Sequence, residues 1–180
     1  MNTYIIAYDA KTIIYTINSM VPELPKKNDK LYKDKITLVK ILFYQSIIKV
    51  IPQNVEKECL KTANAAQLRK FHGWVNYHPF PRGNGTTIEK RKSFFLEYHD
   101  DINDCLNLAE AEAAGAHYFL TCDKELTRKL SHVSTITQIC RPSEFATLID
   151  VSRVGRPDLI PHPTSIMRDV TWWKEPIKEC

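Results

Sequence analysis

The stretch from Asp104 to Asp123, DCLNLAEAEAAGAHYFLTCD, restricts the fold more than any other part of the chain. Leu106, Leu108, Ala109 and Ala113 recur at helical spacing, and Gly115 stands where a helix C-terminal cap belongs. His117–Thr121 is short, aromatic and apolar, as a parallel strand covered on both faces must be. A helix, a glycine stop and a buried strand ending at an acid make one half of a β–α repeat. That unit carries Asp104 on the first turn of its helix and Asp123 just past the end of its strand. In open α/β sheets ligands bind at the carboxyl ends of the strands.

The rest of the chain repeats the alternation. Tyr4–Tyr8 predicts a central strand ending at Asp9, and Ile13, Ile14 and Ile17 predict a helix over Ala10–Ser19. Helical spacing returns from about Leu31 to Tyr44, followed by a strand over Ile47–Ile51. Pro52 then opens a helix expected to run to about Phe71, with Val55, Cys59, Ala63 and Ala66 on one stripe. A loop over His72–Thr87 precedes a short helix from about Ile88 to Tyr98. After Asp123 the pattern predicts a helix over Lys124–Leu130, a strand near Val133–Ile139 and a helix over Ser143–Ile149. Strands alternating with helices imply right-handed crossovers. The fold class is therefore α/β, a three-layer α/β/α sandwich with a four- or five-stranded, mainly parallel sheet. Residues 1–150 form this domain, and the Pro-rich, aperiodic residues 151–180, with Trp172 and Trp173, form an extended C-terminal arm. The arm is expected to wrap its own core, pack a dimer or receive a partner.

Composition narrows the setting. With 43% apolar residues the chain has ample material for a core, and its net charge of +4 permits contact with a polyanion without demanding it. Five cysteines with no C-x-x-C pair point to reduced thiols and a cytoplasmic location, not to a disulfide framework or a zinc site. No signal peptide is apparent, and Lys40, Gln45 and Lys49 interrupt the most apolar window, so no membrane span is expected.

Asp9, Glu58, Asp104 and Asp123 all fall at strand ends or in early turns of helices, positions that a parallel sheet gathers at one edge. Singly, each has an ordinary explanation as a cap, a turn former or a solvated helix residue. Jointly they repel one another, and a hard divalent ion with oxygen ligands relieves that repulsion. Mg²⁺ or Mn²⁺ suits an all-carboxylate set better than zinc. Around the acids, Arg82, Lys90, Arg91 and Lys92 on one side and Arg128 and Lys129 on the other are candidate phosphate contacts. Trp74, Tyr77 and Phe80 are candidate stacking residues for unpaired bases. His99, beside Asp100, is the histidine nearest the acids and is expected to be structural.

The strand ending in Asp9, the V-x-x-E of Val55–Glu58, Asp104 ahead of L-x-L-A, and A-x-Y-F-L-T-x-D ending at Asp123 together resemble the PIN-domain nucleases over roughly Thr3–Ile149. The resemblance implies metal-dependent cleavage of RNA, with Asp9, Glu58, Asp104 and Asp123 as catalytic metal ligands and Mg²⁺ or Mn²⁺ as the cofactor; the choice of Glu58 over Glu56, both on the rim of the helix's apolar stripe, rests on the family spacing. Thr121 matches a hydroxyl that supports such a site, and Arg82, Arg91, Lys92 and Arg128 would hold substrate. The small size resembles the VapC-like toxin ribonucleases, which would add an antitoxin partner and a homodimer. The chain departs from the family after the first acid, where Ala10 and Lys11 replace the usual hydroxyl residue and Asn. Lys11 can pair with a carboxylate and displace part of a metal shell, which favours the alternative of a catalytically degenerate domain that binds RNA or scaffolds a complex. An aspartate-phosphorylating hydrolase would need a second acid where Lys11 stands.

Overall fold

Along Tyr4–Tyr8 the side chains alternate strictly between two cores, and the whole architecture follows from that alternation. The computed structural model describes residues 3–20, 23–62, 64–66, 84–149, 158–161, 163 and 165–175. Four strands, β1 (Tyr4–Tyr8), β2 (Ile47–Val50), β3 (Tyr118–Leu120) and β4 (Gln138–Cys140), form one all-parallel sheet in the order β2-β1-β3-β4. Among the described residues seven α-helices accompany them. These are α1 (Ala10–Ser19), α2 (Tyr32–Ile41), α3 (Gln53–Thr62), α4 (Gly85–Phe95), α5 (Ile102–Ala113), α6 (Lys124–Leu130) and α7 (Pro142–Leu148).

Ile6, Tyr8, Ile47, Leu120 and Cys140 face one core, which Ile13 and Ile17 of α1, Leu38 of α2 and Phe145 of α7 complete. Ala7, Val50, Phe119 and Ile139 face the other, filled by Phe95, Cys105, Leu108 and Leu126 from α4, α5 and α6. A period-2 strand buried on both faces requires this division, so the sheet is the middle of three layers. Gly115, at φ 72°, ends α5 in the left-handed region that a residue with a Cβ seldom adopts.

Several expected boundaries move. α3 stops at Thr62, because Asn64 is not helical and its Oδ1 instead accepts from the Ala66 amide at 3.1 Å, a turn-type bond that competes with helix continuation. Ala66, expected on a buried stripe, is exposed. α4 begins three residues early, at Gly85, because Asn84 Oδ1 accepts from the Thr86 amide as its N-cap. β4 covers Gln138–Cys140 rather than the segment near Val133–Ile139. Residues 131–133 form a turn after α6, and the Ser134 hydroxyl donates to the Thr137 carbonyl at 2.7 Å.

The described part of the arm packs on its own core. Trp173 is buried with its ring 4.1 Å from that of Phe43, and its indole N–H donates to the Met167 carbonyl at 2.9 Å. The amides of Asp158 and Leu159 both donate to the Phe43 carbonyl, and Lys40 Nζ reaches the Glu175 carbonyl at 2.9 Å. Among the described residues no helix is long and apolar enough to cross a membrane.

Candidate functional site

Parallel topology decides where the acids go. Helices that follow a strand begin at the sheet's carboxyl edge, and a helix that precedes a parallel strand also has its N-terminus there. Asp9 is the N-cap of α1 directly after β1, and Asp123 is the N-cap of α6 directly after β3. β1 and β3 are neighbours, with Tyr8 in register with Leu120. The two strand exits are held together by the Asp9 amide donating to the Leu120 carbonyl at 3.2 Å and the Cys122 amide donating to Thr12 Oγ1 at 3.3 Å. Asp104 lies in the first turn of α5, whose N-cap is Asp101. Glu58 lies midway along α3, which follows β2.

Asp9, Asp104 and Asp123 thus come to one edge, whereas Glu58, expected in an early turn, lies midway along its helix; the acid whose charge reaches both Asp9 and Glu58 is Asp104. Its charge raises the pKa of Asp9 and of Glu58, and that of Asp123 raises its own. Asp9 is 5% exposed. Burial pushes its carboxyl up to about 6, against partial relief from the hydroxyls of Thr121 and Thr12 and from the Thr12 amide, which donates to Oδ1 at 2.6 Å. Neither hydroxyl completes a hydrogen bond to Oδ2, which is buried without a partner. Burial also raises the carboxyls of Asp104 and Glu58. Asp123 accepts from the Glu125 and Leu126 amides through Oδ1 alone, and Thr121 Oγ1 fixes its backbone by accepting from the Asp123 amide at 2.9 Å. Asp104 and Asp123 line a cleft of about 400 Å³ with His99, Asp100, Asp101 and Glu125.

Two residues at this site were not predicted to serve it. His99 is buried, and its Nε2 lies 2.8 Å from Asp104 Oδ2. Asn107, one turn beyond Asp104, donates to Glu58 Oε2 at 2.8 Å and accepts from Asn54 Nδ2 at 2.8 Å, which clamps the middle of α3 onto α5. Glu110 completes the seam by accepting from the Asn54 amide at 2.8 Å. The sequence signal for Asn107 was a polar residue at helical spacing from Asp104 inside an otherwise apolar stripe.

The predicted substrate contacts fare differently. Arg91 is committed elsewhere: its guanidinium makes a two-point pair with the buried Glu112 at 2.6 and 3.1 Å and lies over the rings of Phe94 and Phe95. Glu112 lies two turns along α5 from Asp104, about 12 Å up the axis, so Arg91 anchors α4 to the far end of α5. Lys92 pairs with Glu89 at 2.5 Å and lines neither cleft described here. Arg128 is exposed and lines a second cleft that shares Asp123 with the first. Arg82, Trp74, Tyr77 and Phe80 lie outside the described residues. Lys11 is exposed and forms no ion pair among the described residues, so the expected pairing with a carboxylate is not observed.

The donor set suits a hard cation. It consists of carboxylates, and it includes a buried oxygen that needs either a proton or a positive charge. Among the described residues, no three His, Cys, Asp or Glu side chains stand preassembled around one point as a metal shell. The sequence matches no known family model and no curated protein.

Proposed function

We propose that this chain is a divalent-cation-dependent ribonuclease of the PIN type, with Asp9, Glu58, Asp104 and Asp123 as its acidic centre. The observation that carries the reading is the unpartnered, buried Oδ2 of Asp9, at the point where two neighbouring strands end and within reach of the charge on Asp104. A carboxylate in that position costs stability unless a cation meets it, and it is misplaced in a purely structural edge. Asp9, Asp104 and Asp123 would hold the ion. When bound, Mg²⁺ or Mn²⁺ supplies Lewis-acid polarisation of a phosphate and acidification of water. Asn107 fixes the Glu58 carboxylate toward the same edge, where it can accept a proton or orient a water. His99 holds one oxygen of Asp104, which leaves the other for the cleft. Thr121 steadies the backbone that presents Asp123. The toxin reading, with an antitoxin and a homodimer, rests on the sequence resemblance alone.

Asp104→Asn keeps the size of the side chain and removes its charge. Cleavage of single-stranded RNA in Mn²⁺ should fall by about 100-fold or more, the scale of losing several kcal/mol of charge stabilisation. Undiminished cleavage by a folded Asp104→Asn protein, judged by circular dichroism, would rule out the assignment.

A further inference from the structure

The two clefts on either side of Asp123 have opposite character. In the first, Lys129 is neutralised by Glu125 at 3.0 Å, which leaves Asp100, Asp101, Asp104 and Asp123 to set the potential. The second, of about 200 Å³, is lined by three cations, Lys124, Arg128 and Arg141, and two acids, Asp123 and Glu144, with Cys122 and Thr127 between them. Lys124 and Arg128 are exposed and unpaired among the described residues. Glu144 is partly occupied, since its Oε2 accepts from the Arg141 amide at 2.9 Å.

Arg141 makes this more than a solvated basic face. One terminal nitrogen of its guanidinium is locked to the buried Asp34, which also accepts from the Ser143 amide and hydroxyl at 3.1 and 2.7 Å. A guanidinium held that way is pre-oriented, and its remaining N–H groups have no partner among the described residues. That geometry suits a planar, two-point contact with an oxyanion.

We propose that Lys124, Arg128 and Arg141 form the seat for a backbone phosphate next to the scissile one, so that a nucleic-acid strand crosses Asp123 from the acidic cleft to the basic one. The inference rests on the nuclease reading for the word "scissile" and adds to it a direction and a set of contacts. Recognition there is by phosphate, so it is blind to sequence and to the sugar.

The test is fluorescence anisotropy in EDTA with labelled single-stranded RNA and DNA of one sequence, repeated over a range of salt, beside a cleavage assay in Mn²⁺. The variants are Lys124→Ala/Arg128→Ala, which alters exposed side chains only, and Arg141→Lys, which keeps a charge against Asp34 but loses the fork. The double variant should lose affinity by about tenfold for both strands, and the slope of log K against log salt should shrink by about 0.7 for each contact removed. Arg141→Lys should weaken binding in the same sense, and Lys90→Ala on α4 should not. Unchanged affinity and salt slope in the double variant would overturn the seat, as would competition by polyglutamate equal to that by RNA, which would mark a surface for an acidic protein. If the parent cleaves RNA and the double variant keeps its KM, the seat falls while the nuclease reading stands. If the parent never cleaves but binding and slope fall as described, the seat stands and the nuclease reading falls.

Discussion

Two aspartates buried in the same protein show how differently a charge can be taken out of water. Asp34, on α2, is surrounded: Arg141 meets it, and the amide and hydroxyl of Ser143 satisfy its other oxygen. Asp9, at the end of β1, has one oxygen capping α1 and the other buried without a partner, and its carboxyl is pushed up to about 6. Both sit at the carboxyl edge, so topology alone does not separate them. Asp34 is a closed polar contact that ties α2 to the start of α7. Asp9 is an open one, and an open carboxylate near Asp104 is what the proposed cation-binding role would use.

The closed contact is the easier one to damage. Arg141→Ala would leave Asp34 buried with only Ser143 for company, and breaking such a pair costs about 3 kcal/mol. Urea unfolding should show this as a lower midpoint at unchanged slope, and a loss under about 1 kcal/mol would mean that Asp34 is better hydrated than its burial implies. The open contact should respond in the opposite way, to something added. Mn²⁺ at about 100 times its dissociation constant should stabilise the wild-type protein by about 2.7 kcal/mol. Thermal unfolding with and without EDTA reads this directly, and equal stabilisation of Asp104→Asn would place the ion elsewhere.

Next in size is the charge on Asp9 itself. Its folded pKa of about 6 lies above the ordinary 3.8, so between those values the native state binds more protons than the unfolded state. Stability in EDTA therefore falls as pH rises from about 4 to about 6 and is flat above, a total cost of about 3 kcal/mol. Asp9→Asn keeps the Oδ1 cap to Thr12 and removes the charge. It should be more stable than wild type by about 2 kcal/mol at neutral pH, the remainder being lost to a buried amide N–H₂ without a partner. The advantage should vanish below pH 4. An advantage independent of pH would show that charge is not what burdens Asp9.

How much of this was legible beforehand depends on the range of the forces involved. β1, α1 and α6 have the expected bounds because apolar alternation, apolar spacing and an acidic cap are all written within a few residues. Gly115 was equally plain, since a helix that must stop before a buried strand needs a left-handed residue. The edge positions of Asp9, Asp104 and Asp123 followed from parallel topology, and that of Glu58, midway along α3, did not. Misplacements occurred where a contact distant in sequence decided the outcome. Val133–Ile139 looks like an alternating strand, but Ser134 reaches Glu112 and Thr137 reaches the Ala116 carbonyl, so pairing with β3 starts only at Gln138. Arg91 looked like a phosphate contact because Lys90 and Lys92 flank it, and nothing local announced Glu112, a full helix away. His99 is only five residues from Asp104, yet their pairing depends on Asp101 turning the chain into α5. Asp9, and not Asp34, stood among the acids expected from the sequence, but that one of its oxygens is buried without a partner was not legible there, because it depends on contacts distant in the chain.

The smallest expected effect probes the seam that holds the fourth acid. Asn107 is nearly sealed from water and joins Glu58 to Asn54 through its two amide atoms. Asn107→Ala removes both bonds, but Glu58 is only partly buried and can turn to water, so the stability loss should be about 1 kcal/mol. The larger consequence falls on function. A ligand or base whose orienting partner is removed costs about 10–100-fold in metal affinity or activity. Isothermal titration with Mn²⁺ beside RNA cleavage separates two roles for Glu58. If it helps hold the ion, Mn²⁺ affinity falls in Asn107→Ala. If it only accepts a proton or steers water, affinity holds while cleavage drops. Asn107→Gln, which can restore the donor with a longer arm, should recover part of either loss. A variant with wild-type affinity and wild-type cleavage would make the Asn107–Glu58 bond mere packing between α3 and α5, and the acidic centre would shrink to the three aspartates.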